Sequence, residues 1–160
     1  MPRRRPGALR AEHPAPPVWG PWTDRIPGLS ERTCAEIQRV EREHDDSWPG
    51  LWDGLWDGAV EAALRNYRAF LRQPGRFLDL CFAVSPHPGS SLVDMANARD
   101  ILREALHALP QPSRAELGRV VAGLDAELRR RTLPDPLAHR RLWWHGAWWH
   151  RRLYDGEFRW

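Results

Sequence analysis

The amino-acid sequence predicts an all-α protein, a single-domain helical bundle of four to six helices with an extended Pro-rich N-terminal arm. Three observations lead to this fold class. Apolar residues recur at helical spacing in several segments, capping residues and Gly or Pro stand at the ends of those segments, and a length of 160 residues suits one domain. We therefore expect residues 1–29 to form a disordered basic arm and residues 30–160 to form the helical domain.

The N-terminal arm is predicted from its composition. Residues 1–29 hold seven prolines, five arginines and two acidic residues, with few aliphatic side chains. Proline lacks a backbone N–H and breaks helices, and a segment with so little to bury does not repay the entropy of ordering. An extended, solvated arm is the expected result.

The first helix is predicted to run from about Ser30 to His44. Ser30 is a suitable N-cap, and Thr33 with Glu36 offers a capping box slightly later. The residues that repeat near one face of this helix, and should be buried, are Cys34, Ile37, Val40 and His44.

A second, longer helix is expected to begin near Ser47 or Pro49 and to end near Arg72. It contains the tandem repeat Leu-Trp-Asp-Gly over residues 51–58. Tryptophans four residues apart lie on one helical face, so we interpret them as core residues. Each glycine in a helix interior costs roughly 1 kcal/mol relative to alanine. The alternative is therefore that the first turns of this segment are irregular.

Residues 76–84 form a short apolar stretch that periodicity cannot assign to helix or strand. A third helix is predicted from Ser91 to the residues before Pro110. A fourth follows, with Ser113 and Glu116 as its capping box, and it ends at the Arg129–Arg131 run.

The C-terminal segment is predicted to be a further helix rich in Trp and Arg, with Asp135 as N-cap and Pro136 in its first turn. At about 100° per residue, one apolar face opposes a mixed face of arginine and tryptophan. That face is our candidate partner-binding site, and it consists of Arg140, Arg141, Trp144, Trp148, Arg151 and Arg152. The alternative is that these arginines cover indoles of their own protein.

Composition excludes several classes of protein. No apolar run is long enough to cross a membrane, and the N-terminus lacks the apolar core of a signal peptide, so we expect a cytoplasmic protein with no membrane partner. All 24 basic residues are arginine, which rules out Schiff-base chemistry on a lysine side chain. Two cysteines are too few for a disulfide scaffold. We expect neither a bound metal nor another cofactor.

The best pattern for metal chemistry is a pair of Glu-x-x-His motifs, Glu41 with His44 and Glu104 with His107. The pair resembles the ferritin-like di-iron bundles, and this resemblance implies carboxylate and imidazole ligands that project into a helical core. In our helix assignments, however, the first motif faces the core and the second faces solvent. A metal-dependent bundle enzyme centred on Glu41 and His44 is therefore an alternative.

We predict that the protein is a non-enzymatic binding module whose Arg/Trp face meets a protein partner or a second copy of itself. Tryptophan and arginine are the residues most enriched at interface hot spots. Nucleic acid is the alternative partner, because arginines neutralise phosphates and indoles stack on bases. A protein partner is favoured because the net charge is only +3 and residues 30–75 carry six arginines against nine acids.

Overall fold

A computed structural model describes residues 25–45, 55–79, 95–140 and 146–154. Within these residues the chain is mostly helical, as predicted. We label the helices α1 (Glu31–Asp45), α2 (Ala59–Leu71), α3 (Met95–Ala108) and α4 (Gln111–Arg130). Two short strands follow, β1 (Leu133–Pro134) and β2 (Arg152–Leu153), with 3₁₀ turns at Ala138–Arg140 and Trp148–His150.

The helices surround one hydrophobic core. Helices α2 and α3 make the most extensive contact, α4 packs against the other three helices, and α1 also touches α3. Most of the side chains with almost no exposed surface come from these helices, because each presents an apolar stripe at helical spacing. They include Leu64, Tyr67, Leu102, Leu117 and Leu128.

Helix α1 begins where predicted, but its N-terminal cap involves a second helix. The Ser30 hydroxyl accepts a hydrogen bond from the Thr33 N–H at 3.3 Å. The Glu116 carboxylate, on α4, accepts bonds from the Ser30 N–H at 2.8 Å, from the Ser30 hydroxyl at 2.7 Å and from the Thr33 hydroxyl. Glu116 therefore caps α1 and fastens it to α4, whereas the sequence had suggested a local capping box with Ser113.

Helix α2 starts later than predicted, because Gly58 breaks the helical backbone. Gly58 has φ of +82°, a left-handed conformation that favours glycine, and the helix begins at the next residue. The irregular start that the glycines suggested is confirmed at Gly58. The first Leu-Trp-Asp-Gly copy, residues 51–54, lies outside the described residues.

Arginine side chains cap the C-terminal ends of two helices. The buried Arg131 guanidinium donates to the carbonyls of Leu71, Gln73 and Gly75 at 2.6, 2.8 and 2.9 Å, where α2 ends. Arg114 donates to the Leu109 carbonyl at 2.8 Å, just after α3. The last carbonyls of a helix have no partner within the helix, and a cation also suits the negative end of the helix dipole.

The predicted C-terminal helix is wrong over the described residues. β2 pairs antiparallel with β1, with Leu133 opposite Leu153 and Pro134 opposite Arg152. Gly146 has φ of +75° and Ala147 is extended, so the backbone at these two residues, just before the second Trp-Trp-His sequence, is not helical. Strand pairing and burial of Trp149 and Tyr154 replace the helix.

Three other predictions fall partly or wholly outside the described residues. These are the arm over most of residues 1–29, the start of α3 at Ser91, and residues 80–84 of the ambiguous apolar stretch. Residues 76–78 of that stretch are irregular, and the Leu78 N–H donates to the Arg131 carbonyl at 3.2 Å.

Candidate functional site

The C-terminal residues of the described chain form a strap across α3 and α4. We use the name C-terminal strap for residues 132–140 and 146–154. Four of the six predicted site residues lie on it, Arg140, Trp148, Arg151 and Arg152; the other two, Arg141 and Trp144, lie outside the described residues.

Trp149 anchors the strap to α3. Its indole is only 6% exposed, and the guanidinium carbons of Arg99 and Arg103 lie 4.1 and 5.5 Å from the ring centre. The indole N–H donates to Asp100 at 3.1 Å, and His150 Nε2 lies 2.7 Å from the other Asp100 oxygen. One turn of α3 thus binds a Trp-His pair by stacking and hydrogen bonding together.

Trp148 projects differently from its neighbour and remains half-buried. Its ring meets that of Trp149 edge to face, with 5.8 Å between centroids and 87° between planes. The guanidinium carbon of Arg129 lies 4.0 Å from the Trp148 ring centre, and that of Arg152 lies 6.0 Å from it. We call Arg129, Trp148 and Arg152 the Trp148 cluster.

Arg152 also has a structural role at the end of α4. It donates to the Thr132 hydroxyl at 2.8 Å, and to the carbonyls of Thr132 and Arg129 at 2.7 and 3.0 Å. Burial lowers the pKa of this guanidinium. Arg152 therefore caps the C-terminal end of α4, as Arg131 caps that of α2 and Arg114 that of α3. Its position depends on the pairing of β2 with β1.

The two remaining described arginines of the predicted site, Arg140 and Arg151, differ in burial and in contacts. Arg151 is half-buried and donates to the Gly146 carbonyl, so it closes the turn before the 3₁₀ segment. Arg140 is exposed at the end of the first 3₁₀ turn. The predicted face is therefore not one helical surface, and the structure brings Trp148 together with Arg152 and with Arg129, which the sequence analysis did not select.

Arg129 was not among the predicted site residues, because the Arg129–Arg131 run predicts only the end of a helix. The sequence did indicate a role for these residues, since cations are common at a helix C-terminus. The side chains of three consecutive residues also point in three different directions around a helix. The structure separates the three: Arg131 is buried, Arg130 pairs with Glu127 at 2.6 Å, and Arg129 stacks on Trp148.

Glu41, the centre of the metal alternative, caps helix α2. Its carboxylate is 2% exposed and accepts the backbone N–H groups of Val60 at 2.8 Å and Gly58 at 3.0 Å. Burial raises its pKa to about 7; the two backbone bonds oppose this shift, and the nearby charges of Asp57 and Glu61 add to it.

The other members of the Glu-x-x-His pair do not join Glu41. His44 Nδ1 lies 2.8 Å from the carbonyl of Val40 on its own helix, and Glu104 and His107 are exposed on α3. Within the described ranges, no three His, Cys, Asp or Glu side chains are grouped so that they could hold a metal ion. The geometry of these four residues therefore does not favour the di-iron resemblance.

A buried polar network links α2, α3 and α4. The Tyr67 hydroxyl donates to Asp125 at 2.9 Å, and Arg99 donates to both Asp125 oxygens at 2.9 and 3.0 Å. Burial raises the pKa of Tyr67, so this phenol remains a neutral donor at physiological pH. Because Arg99 also stacks on Trp149, the network connects the core to the strap.

None of the helices in the described ranges combines the length and apolarity that crossing a membrane requires. Comparison with known proteins gives no family for this chain: no family model, curated protein or solved structure matches it. The function of this chain is therefore inferred from the geometry of the strap.

Proposed function

We propose that the protein is a non-enzymatic binding module that holds a protein partner on the Trp148 cluster and the adjoining strap. The observation that carries the proposal is the arrangement of Arg129. This side chain is exposed, is stacked 4.0 Å from a half-buried indole, and meets no carboxylate within the described residues. Stacking restricts the guanidinium before a partner arrives, so less conformational entropy is lost on binding.

A rigid support strengthens this proposal. Trp148 follows directly from the extended Ala147 and precedes Trp149, whose indole stacks on Arg99 and also lies near Arg103. Half-buried aromatic residues on a fixed backbone are typical of interface hot spots, because they add contact area without a large cost of ordering.

The proposal is tested by capture from a lysate of the source cell. The full-length chain, Trp148→Ala and Arg129→Gln are immobilised in parallel, with Arg32→Gln as the matched control, since Arg32 is exposed on α1 far along the chain from the strap. We expect proteins that the wild type and Arg32→Gln retain and that both cluster variants lose.

Two results would count against a protein-binding role. Capture of the same proteins by all four chains would show that the Trp148 cluster is not the binding site. Retained material that nuclease removes, and that absorbs more strongly at 260 than at 280 nm, would support the nucleic-acid alternative instead. Circular dichroism of each variant checks that loss of binding is not loss of folding, because removing the half-buried indole of Trp148 costs roughly 1–2 kcal/mol in stability.

A further inference from the structure

The arginines of this protein are divided by the groups that they meet. On α1 and α2, Arg39 binds Glu36 and Glu43, and Arg65 binds Glu61. In the core, Arg99 binds Asp125. The guanidiniums of the Trp148 cluster instead meet an indole and backbone carbonyls, so their positive charge has no carboxylate opposite it within the described residues.

Positive charge therefore accumulates around Trp148. Arg129 and Arg152 lie near the same ring, and the charge of Arg129 acts in the same direction as burial in lowering the pKa of Arg152. Like charges held close together repel, and an anion that binds beside them removes that repulsion. Arg140, exposed on the same strap, adds a further cation that meets no carboxylate in the described part of the chain.

The strap also carries exposed apolar surface. Leu133 and Leu137 are 46% and 37% exposed, and they are the large hydrophobic side chains of the described residues that are left most open to solvent. Leu133 belongs to β1, which pairs with the strand that carries Arg152. Apolar and cationic side chains thus lie within one short segment of the chain, so an occupant that contacts both kinds combines apolar and anionic groups.

We infer that the occupant is an acidic protein segment, which sets carboxylates against Arg129 and Arg140 and an apolar side chain against Leu133 and Leu137. This inference rests on the proposed function and names the chemistry of its partner. Guanidinium and carboxylate form paired, charge-assisted hydrogen bonds. A nucleic-acid strand fits less well, because one face of Trp148 is already covered by Arg129 and a phosphate backbone offers nothing to the leucines.

Helix α1 of a second copy is a poorer occupant on grounds of charge. The solvent-facing acids of α1 are Glu31, Glu36 and Glu43, and the same helix exposes Arg32, Arg39 and Arg42. Since Arg39 already binds Glu36 and Glu43, this surface is electrically balanced and offers little to the strap.

The test is selection of random peptides displayed on phage against the immobilised full-length chain. The selected peptides are then synthesised, and their affinities are measured by fluorescence anisotropy at low and high salt. The charge variant is Arg129→Gln with Arg140→Gln, and the matched control is Arg32→Gln with Arg119→Gln, which removes two exposed arginines elsewhere. A third variant replaces Leu133 and Leu137 with serine.

We expect selected peptides that combine Asp or Glu with apolar residues, that weaken at high salt, and that lose about tenfold or more in affinity with the charge variant. Replacing Leu133 and Leu137 with serine should also lower the affinity for these peptides. The matched control should change the affinity by less than about twofold.

Other outcomes separate the two proposals. Neutral peptides whose binding depends on Trp148 would overturn the acidic partner and leave the binding module in place. Selected peptides that bind the Trp148→Ala variant as well as the wild type would overturn both. A single-stranded oligonucleotide that binds and displaces the selected peptides would assign the strap to nucleic acid instead.

Discussion

Replacing Glu41 with glutamine should remove a pH dependence of stability that this buried carboxyl imposes. Its pKa is raised from 4.5 in the unfolded chain to about 7 in the folded protein, so the folded state holds a proton between these values and the unfolded state does not. Stability from this group therefore rises as pH falls through 7, and levels off below 4.5. At 1.36 kcal/mol per pKa unit, the change between pH 8.5 and pH 5 is about 2.5 kcal/mol.

The measurement is the free energy of unfolding in guanidinium at several pH values between 5 and 8.5, at constant ionic strength. Glutamine is neutral and keeps one oxygen that accepts an N–H of Val60 or Gly58, so it mimics the protonated acid. Other titrating groups are common to both proteins, and the difference between wild type and Glu41→Gln isolates this carboxyl. Glu104→Gln, at an exposed position on α3, is the control.

The reasoning is refuted if the difference between wild type and Glu41→Gln does not change with pH. It is also refuted if the wild type loses stability relative to the variant as pH falls. That second result would mean that the backbone bonds from Gly58 and Val60 outweigh burial, which would place the pKa below its ordinary value.

Three further substitutions test the contacts that hold the strap and the core. Tyr67→Phe removes the hydroxyl that donates to Asp125 and should cost about 1–2 kcal/mol in urea unfolding; an unchanged midpoint would show that the bond contributes nothing. Arg131→Gln removes the guanidinium that holds three carbonyls at the end of α2 and should lower the free energy of unfolding by roughly 3 kcal/mol. Amide hydrogens at that end of α2 should then exchange earlier than those of the other helices. An equal change in exchange throughout the protein would contradict the capping role. Trp149→Phe keeps an aromatic ring beside Arg99 but loses the N–H to Asp100, so the melting temperature should fall by a few degrees. A melting temperature equal to that of the wild type would show that this hydrogen bond does not anchor the strap.

Local patterns predicted the helices well where contacts between residues close together in the sequence decide the structure. Ser30 caps α1 as expected, and the α3 segment ends before Pro110 as expected, because capping and proline act through bonds within a few residues. The mostly helical fold follows from apolar spacing, which each segment carries by itself.

The same local reasoning failed at the C-terminal strap. Residues 146–154 have a plausible helical pattern, yet the stabilisation that a helix would give there is small compared with that from contacts with the rest of the protein. Burial of Trp149, pairing of β2 with β1, and the Arg152 bonds to α4 all require partners that lie 15 or more residues away in the chain. No periodicity in the segment encodes them.

Sequence alone determined the helical periodicity, the absence of lysine and the concentration of arginine and tryptophan near the C-terminus. Tertiary structure decided what each of those side chains does. Arg131 became a cap, Arg99 joined a buried network, and Arg129 was left stacked and exposed. The physical reason is that a guanidinium takes whichever carboxylate, carbonyl or indole the packed chain places within its reach, and packing depends on contacts between segments far apart in the sequence.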